Sequence, residues 1–518
     1  MRAGRMYRPA RRIFWTFTAA IALAVPSLST HAQSGSSIST EIEERADGDF
    51  HAFYAARDYR PLWIHGSKIG PEADILLHLL ESADLDGLDP DDYRISALAE
   101  AIEQSQTGSP EALAAAEVLL SRRFAAYVRD TRRLKRTDMV FVDKQLAPSV
   151  PSPSDALTAA ASARSLGDYL QSMGWMHPIY PRLRNGLAGY RYPKDARVRI
   201  AAGPTLALGA AGPRVQMLRT RLGLDHGNGF DASVQQALRE FQSARGIPAD
   251  GRAGAKTIAA LNMDSSEQDR ILRININRAR ALPAGGERHV LVNAAAGQLT
   301  TYQDGHVADT MRVVVGRTTD PTPMMAALIR FAMVNPYWNV PTDLVTTRIA
   351  PNVLKDGQTY LASKKYEILS DWSPTATPLD PTKIDWKAVA AGKQVLRVRQ
   401  LPGPENAMGR MKLMFPNKMG VYLHDTPDKK LLKETARLFS AGCVRLEDAP
   451  RLAKWLFGKP LVVRSGEPEH RVDLPQPVPV FITYLTAAPE GTKIVFHNDV
   501  YARDTGKWKQ DKSLLASR

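Results

Sequence analysis

The hydrophobic pattern of this chain changes its period near residue 288, and this change constrains the fold more than any other feature. From about 46 to 195 apolar residues recur at helical spacing, as in ADILLHLLESADLDGLDPDDYR. From about 288 the period is two, and HVLVNAAAGQLTTYQDGHVADTMRVVVGR predicts three short strands with a hairpin turn at Asp304-Gly305. Because 518 residues are long for one domain, we predict a multidomain α+β protein.

An acidic cluster, Asp84 to Asp92, follows one of the predicted helices. A calcium-binding loop would need glycine at its sixth position and glutamate at its twelfth. Here the glycine stands at position four and no glutamate stands at twelve. We interpret the cluster as a polar turn after a helix, within a helical domain at 46–200.

A small unit follows at residues 205–265. VQMLRTRLGL places apolar residues at helical spacing, DASVQQALREFQSARG carries a second apolar stripe, and KTIAALN fits a third helix. This pattern predicts a three-helix module of about sixty residues, a size that can fold alone.

The β pattern from 286 to 470 is interrupted once. FAMVNPYWNVP continues the strands, but residues 342–405 are irregular and rich in Pro, Gly, Lys and Asp. An insertion of that length in a compact domain is more often a functional lid or cap than an idle loop. Strand character returns at KMGVYLHDT, and EDAPRLAKWLFG fits a helix that ends at Gly458. LVVRS and VPVFITYLTA look like closing strands, and we expect residues 471–518 to close on the β and helical domains.

The first 32 residues have the layout of a secretory signal peptide. Five arginines precede an apolar stretch from Ile13 to Val25, and Ala32 offers a small-residue cleavage site. Thirteen apolar residues are few for a bilayer, which needs about 20; an uncleaved anchor stays the alternative. Without these residues the formal charge of +14 falls by five to +9. A basic exported protein suits an anionic partner, but nucleic acid is not expected, because no basic run is interleaved with stacking aromatic residues.

Cys443, in FSAGCVRLED, is the only cysteine of the chain. Exported proteins usually use cysteines in pairs, as disulfides, and one cysteine cannot form an internal bridge. It is therefore either a small buried apolar residue or a thiol kept for its reactivity. The count excludes Cys-rich structural zinc, and the eleven histidines show no HExxH spacing.

His424, nineteen residues before Cys443, is the candidate partner of the thiol. In a strand at GVYLHD, Tyr422 and His424 would share the face that points away from the core. The small residues of Ser-Ala-Gly-Cys allow backbone amides to form an oxyanion hole. Arg445 could hold a substrate carboxylate with two hydrogen bonds. The pattern favours a thiol acyltransferase or protease over a structural histidine and a buried cysteine.

The whole motif resembles a known family. HDTP, Phe439 and SAGCVRLED look like the catalytic signature of L,D-transpeptidases with a YkuD-type domain. That signature has a histidine, a spacer and [S/T]-x-G-C-x-R, and its fixed positions are matched by His424, Ser440, Gly442, Cys443 and Arg445. Residues 205–265 resemble a peptidoglycan-binding domain 1 module. VVVGR, TPMM and VNPYWNVP resemble the large YcbB-like transpeptidases, and GLDPDDYR resembles their N-terminal scaffold.

The resemblance implies acyl transfer between peptidoglycan stem peptides. Cys443 would attack the carbonyl of the third residue of a donor tetrapeptide and release D-alanine, and the amine of another stem would resolve the thioester to a 3→3 cross-link. His424 would be the general base and, as imidazolium, would keep the sulfur charged. The backbone carbonyl of Asp425, rather than its side chain, would orient the histidine.

The resemblance also implies supporting roles for neighbouring residues. Ser440 belongs to the motif, and the amides of Gly442 and Cys443 would stabilise the oxyanion. Tyr422 and Trp338 would line the substrate pocket, although plain core packing stays open for Trp338. The insertion at 342–405 would cap the site, and neither a metal nor an organic cofactor is implied.

The implied partners are peptidoglycan stem peptides and glycan in the periplasm, with the inner membrane involved only if the signal is uncleaved. Two alternatives stay open. The same thioester could attach an outer-membrane protein to peptidoglycan or release one, because only the acceptor differs. A non-catalytic wall-binding protein working through residues 205–265 is disfavoured, because both Cys443 and His424 are present.

Overall fold

The computed structural model describes residues 37–135, 137–190, 199–225, 227–244, 247–262, 265–373, 375–461 and 467–505. The expected signal peptide, most of the LVVRS segment and the last part of the expected C-terminal segment lie outside these ranges. None of the helices in the described ranges combines the length and the apolarity that crossing a membrane requires.

The first part of the chain is helical, as predicted. Its longest helix starts where Ser109 accepts a hydrogen bond from the Ala112 amide, followed by a proline at the first helical position. Two short strands form a hairpin and a third leaves the domain. The elements are α1 (Ile38–Arg45), α2 (Gly48–Ala55), β1 (Ile64–His65), β2 (Lys68–Ile69), α3 (Glu72–Glu81), α4 (Ile95–Gln104), α5 (Pro110–Arg132), β3 (Val140–Phe141), α6 (Pro153–Ala161), α7 (Leu166–Gln171) and α8 (Ile179–Tyr190).

The acidic cluster at 84–92 is more than a polar turn, which corrects the sequence interpretation. Asp86 is 3% exposed, and its carboxylate accepts hydrogen bonds from Tyr127 at 2.7 Å and Tyr180 at 2.8 Å. Arg184 Nε lies 3.0 Å from the same carboxylate, and both side chains are buried. The pattern of charges could not show this, because all three partners are distant in the sequence. Asp86 ties α5 and α8 to the turn that follows α3.

We expect Asp86→Ala to lower the stability of the helical domain strongly. The substitution leaves the buried Arg184 guanidinium without its counter-charge, and breaking such a pair costs about 3–5 kcal/mol. Thermal and urea unfolding of the full chain measure the loss. Asp92→Asn, at an exposed position of the same cluster, is the matched control and should unfold like the unmodified chain. Equal stability of the two variants would contradict the role of Asp86.

The predicted three-helix module has its own small core. Its helices are α9 (Pro213–Arg221), α10 (Ala232–Ala244) and α11 (Ala255–Leu261). Val215, Leu218, Val234, Leu238 and Ile258 are buried together. A further helix, α12 (Ser265–Ala279), follows the module and packs on α8. It returns the chain from the module to the helical domain.

The second half is mostly β, as the change of period predicts. The first four strands are β4 (His289–Asn293), β5 (Gln298–Gln303), β6 (His306–Gly316) and β7 (Met325–Val334). The predicted turn at Asp304-Gly305 is confirmed: both residues have positive φ, 52° and 78°, as a two-residue type I′ hairpin requires.

The segment expected to be irregular, 342–405, instead forms a small subdomain together with the short strand before it, and we call this subdomain the cap. Its elements are β8 (Trp338–Val340), α13 (Thr342–Leu344), a π-helix (Val345–Ile349), α14 (Ala350–Asp356), α15 (Thr359–Ser363), β9 (Tyr366–Leu369), α16 (Trp386–Ala390) and β10 (Arg397–Gln400). The three strands make a sheet in the order β8-β10-β9, packed on a separate core. Elements of three to seven residues are too short to show a period, so the sequence pattern missed them.

After the cap the chain completes the β domain. The remaining elements are β11 (Met411–Met414), β12 (Leu423–His424), β13 (Leu438–Ser440), β14 (Val444–Leu446), α17 (Ala449–Phe457), β15 (His470–Thr483), β16 (Ala487–Glu490) and β17 (Lys493–Phe496). α17 ends at Gly458 in the left-handed region, as predicted. The strand expected at KMGVYLHDT is only two residues long, because the Asn417 side chain holds the backbone as far as Val421 in a turn.

The main sheet closes on itself. Its strands follow in the order β11-β12-β14-β6-β5-β4-β15-β7, and β11 also pairs with β7. Closure leaves these strands without a free edge. β3, from the helical domain, pairs in parallel with β7, and β16 and β17 pack on α8. The buried residues of the helical and β domains accordingly form one continuous core.

A buried histidine pair also joins the two domains. His177 Nε2 lies 3.1 Å from His289 Nε2, and the two side chains are at most 1% exposed. His177 Nδ1 accepts from the Ile179 amide and His289 Nδ1 lies 2.8 Å from the Glu287 carbonyl. These partners leave one hydrogen between the two Nε2 atoms, so both rings are neutral. Burial lowers the pKa of His289 to about 4 and that of His177 well below its usual value.

Acid should therefore destabilise this junction. Between about pH 6.5 and 4 the unfolded chain binds protons at these histidines and the folded chain does not, so stability falls as the pH falls. For a pKa of about 4 against 6.5, the loss from His289 is about 2–3 kcal/mol. Urea unfolding at pH 7.5 and 4.5 measures it. His289→Gln should lose less than the unmodified chain over this range, whereas His306→Gln, at an exposed position, should lose as much.

Candidate active site

A cavity of about 1170 Å³ lies between the cap and the β domain. Six of the eight predicted site residues line it: Trp338, Tyr422, His424, Ser440, Cys443 and Arg445. The other two, Asp425 and Gly442, are buried beside them and do not line it. The structure thus brings together residues that are more than 100 positions apart in the sequence.

Two parallel strands place the chemical groups on one face. β12 pairs with β14 so that Leu423 lies opposite Val444 and His424 lies opposite Arg445. Side chains alternate along a strand. The neighbours of Leu423 on β12 and the neighbours of Val444 on β14 therefore all face the cavity. Tyr422 and His424 therefore share a face, as predicted, and their rings lie 5.7 Å apart. Cys443 lies diagonally opposite His424.

The turn that carries the thiol is fixed by hydrogen bonds on both sides. Ser440 Oγ donates to the Cys443 carbonyl at 2.5 Å and accepts from the Gly442 amide at 3.2 Å. Thr322 Oγ1 donates to the Gly442 carbonyl at 2.9 Å. Gly442 has φ of 103°, a backbone conformation that other residues rarely adopt. Thr322 was not predicted, since nothing in the sequence links it to a motif about 120 positions away.

This arrangement corrects one expectation. The Gly442 amide donates to Ser440 Oγ, so Gly442 shapes the turn and does not offer a free donor to an oxyanion. The amide of Cys443 stays the expected donor. Cys443 itself is partly buried and its Sγ lies 3.6 Å from the Gly420 carbonyl.

His424 is held by a backbone carbonyl. Its Nδ1 lies 2.6 Å from the carbonyl oxygen of Asp425. Because a carbonyl only accepts, Nδ1 carries the hydrogen and Nε2 keeps its lone pair. The histidine is 2% exposed, less open than the sequence suggested, because the cap lies over the face that it occupies.

The electrostatic surroundings of His424 favour a neutral ring. Burial, followed by the charge of Arg445, lowers the pKa of His424 to about 3, against the smaller opposing effects of the Asp425 carbonyl and carboxylate. The resting histidine is therefore expected to be a neutral base, and the thiolate–imidazolium form that the resemblance implied stays a prediction.

The carboxylate of Asp425 is engaged elsewhere. It accepts a hydrogen bond from Lys429 Nζ at 2.7 Å and from the Arg410 amide at 3.0 Å. Lys429 also donates to the carbonyls of Leu446 and Glu447. Asp425 therefore supports the ends of β12 and β14 through its side chain, and only its backbone carbonyl contacts His424.

Arg445 and Trp338 both line the cavity, but they differ in how their side chains are bonded and packed. Burial lowers the pKa of Arg445, and its Nε is buried without a hydrogen-bond partner among the described residues. Trp338 is 9% exposed: it is part of the core of the cap and also lines the cavity. Both interpretations considered for Trp338 thus describe its surroundings.

Three family models match parts of this chain. Residues 287–482 match the L,D-transpeptidase catalytic domain of the YkuD family. Residues 48–187 match a scaffold domain, and residues 214–261 match a family described as "Putative peptidoglycan binding domain".

One curated relative is described as "Putative L,D-transpeptidase" from Haemophilus influenzae. It is 32% identical over 240 residues, which are 45% of this chain and 48% of that protein. The chain thus spans about half the length of the curated relative that it matches.

Solved structures are similar at lower identity. An L,D-transpeptidase from Xylanimonas cellulosilytica is 16% identical, with 54% of this chain and 99% of that chain covered and a TM-score of 0.18. An L,D-transpeptidase from Mycobacterium smegmatis is 15% identical, with 39% and 61% covered and a TM-score of 0.20.

The matched regions follow the order of the helical domain, the three-helix module and the closed sheet. Residues 287–482 of this chain therefore match an L,D-transpeptidase catalytic domain of the YkuD family, in a chain that also matches a scaffold domain and a peptidoglycan-binding domain.

Proposed function

We propose that this protein cross-links peptidoglycan stem peptides through a thioester on Cys443. The observation that carries the proposal is the single cavity into which Cys443 and a carbonyl-held, neutral His424 both face. A thiol needs a nearby base to become a nucleophile, and a histidine whose Nε2 keeps its lone pair can supply one.

In the first half of the reaction, the Cys443 sulfur attacks the carbonyl carbon of the third residue of a donor tetrapeptide. The thiol proton passes to His424 Nε2. The amide bond to the terminal D-alanine then breaks, its nitrogen takes the proton from His424, and D-alanine leaves. The acyl group stays on sulfur as a thioester, and the Cys443 amide stabilises the oxyanion formed on the way.

In the second half, the side-chain amine of diaminopimelate in another stem attacks the thioester carbonyl. His424 accepts the proton of this amine and returns it to the sulfur as the thioester bond breaks. The product is a 3→3 amide cross-link and the free thiol is restored. Arg445 binds a carboxylate of the donor, Tyr422 and Trp338 shape the pocket, and Ser440 and Gly442 fix the turn.

Residues 205–265 hold the enzyme on its polymer. We propose that this module binds peptidoglycan and that the protein works in the periplasm after export by the N-terminal signal. The match of residues 214–261 to a peptidoglycan-binding family supports this assignment, and the basic composition of the chain suits an anionic polymer.

The test uses the purified full chain and disaccharide-tetrapeptide monomers. Mass spectrometry should show D-alanine release and a dimer that carries a 3→3 bond. Monomers that stay unchanged would overturn the proposal. Release of D-alanine without dimer would assign the acyl group to water or to another amine. Wall digests of cells that contain or lack the protein then decide whether muropeptides attached to an outer-membrane protein, rather than dimers, are lost.

A further inference from the structure

The cap presents a positive charge to the active-site cavity. Arg348 lies on the π-helix Val345–Ile349 and lines the cavity. Val345 and Ile349, on either side of it in this helix, are each 1% exposed and belong to the core of the cap. The packed residues anchor the turn, while Arg348 itself is exposed. π-helical turns are rare and are frequent at functional sites.

Among the residues that the structure describes, neither Arg348 nor Arg445 forms a salt bridge, and Asp428 acts on Arg445 only as a nearby opposite charge. Arg445 rises from β14 in the floor of the cavity, and its Nε is buried without a partner. Two other cations near the cavity are paired: Lys364 with Glu405 at 3.2 Å, and Arg317 with Asp320 at 2.9 Å. Arg397 also lines the cavity and is the competing candidate. Two further carboxylates, at 343 and 428, line the cavity from exposed positions.

The two guanidiniums are close enough to influence each other. Arg348 is among the charges that lower the pKa of Arg445, after the larger effect of burial. Like charges that face one cavity raise its free energy unless an anion enters. A guanidinium fork matches a carboxylate with two hydrogen bonds, so this pair of arginines suits a ligand with two carboxylates.

The two arginines lie at different places relative to Cys443. Arg445 is two residues after Cys443 on an extended strand, about 7 Å along it, and so lies beside the bond that breaks. Arg348 comes from the cap, on the other wall.

We propose that Arg348 binds the side-chain carboxylate of the third stem residue, while Arg445 binds the carboxylate of the terminal D-alanine. This proposal rests on the proposed function and adds a specificity to it. The enzyme selects donors whose third residue ends in a free carboxylate over donors in which that group is amidated or missing.

The test compares two donor tetrapeptides, one with the free side-chain carboxylate of diaminopimelate and one with the carboxamide. D-Alanine release by the purified full chain gives kcat/KM for each. We expect the free acid to be preferred by about 10- to 100-fold, the range that follows from a hydrogen-bonded charged group. Arg348→Gln should reduce kcat/KM for the free acid by the same factor, leave the carboxamide almost unchanged, and so bring the ratio close to one. Arg348→Lys should restore part of the preference, because it keeps the charge and loses the fork.

Lys355→Gln is the matched control. It removes one positive charge from the next helix of the cap, at an exposed position that does not line the cavity, and should keep the original acid-to-amide ratio. A ratio near one in the unmodified enzyme, or a ratio unaltered in Arg348→Gln, would overturn the proposal. Loss of the preference in Arg397→Gln but not in Arg348→Gln would move the role to Arg397, which also lines the cavity. No D-alanine release from either donor would instead contradict the proposed function itself.

Discussion

Cys443→Ser is expected to abolish D-alanine release and cross-linking, with a loss of about 10³-fold or more. A hydroxyl at the same place is far harder to deprotonate than a thiol, so serine is the weaker nucleophile. Because Cys443 is partly buried and held in its turn by backbone contacts, serine should fit without loss of fold. Unchanged thermal unfolding of the variant would establish that the loss is chemical.

Intact-protein mass spectrometry gives a second measurement of the same residue. Incubation with a tetrapeptide donor, or with a carbapenem that acylates cysteine nucleophiles, should add one acyl group to the unmodified chain and none to Cys443→Ser. Peptide mapping should place the added mass on residues 439–448. Full cross-linking by Cys443→Ala, or an adduct on another residue, would contradict the cysteine mechanism.

The sequence predicted turns and helix ends correctly where one or two residues determine the backbone conformation. Asp304-Gly305 forms the expected turn because both positions have positive φ, and Gly458 ends its helix for the same reason. The change of period at 288 separated the helical and β halves. The cap was missed as regular structure because its elements are too short to repeat a pattern.

The site was predicted as a set of residues and not as a geometry. The motif identified Cys443 and His424. The two residues reach one face because β12 and β14 pair in parallel, and a parallel pair is not joined by a hairpin turn that the sequence would show. The contact of Thr322 with the turn and the position of Arg348 depend on the closure of the sheet and the packing of the cap. Long-range partners of this kind leave no periodic trace in a single sequence.

The buried polar groups escaped prediction for a related reason. The cluster at 84–92 was interpreted as a polar turn, yet Tyr127, Tyr180 and Arg184 satisfy its Asp86 inside the helical domain. Sequence composition shows which groups are charged but does not show which other groups will neutralise them. This error of interpretation therefore concerns the partners of a residue rather than its type.

His424→Ala is expected to lower the rate of acylation by about 10²–10⁴-fold, and Asp425→Asn by only a small fraction of that. The contrast follows from the contacts: His424 Nδ1 is held by the backbone carbonyl of Asp425, which every residue provides, while the Asp425 carboxylate bonds Lys429 and the Arg410 amide. Single-turnover release of D-alanine by both variants measures this difference. An equal loss in Asp425→Asn would show that the carboxylate takes part in the chemistry.

Added imidazole should restore part of the activity of His424→Ala, because the cavity beside the deleted ring can admit a free base. A purely structural histidine would not be rescued in this way.

The pH profile of the unmodified enzyme gives an independent check. Since burial lowers the pKa of His424 to about 3, the base stays unprotonated in the folded enzyme as the pH falls from 7 to 5. The acylation rate of the unmodified enzyme should therefore show no acidic limb near the ordinary histidine pKa of about 6.5, and such a limb would contradict the neutral resting base.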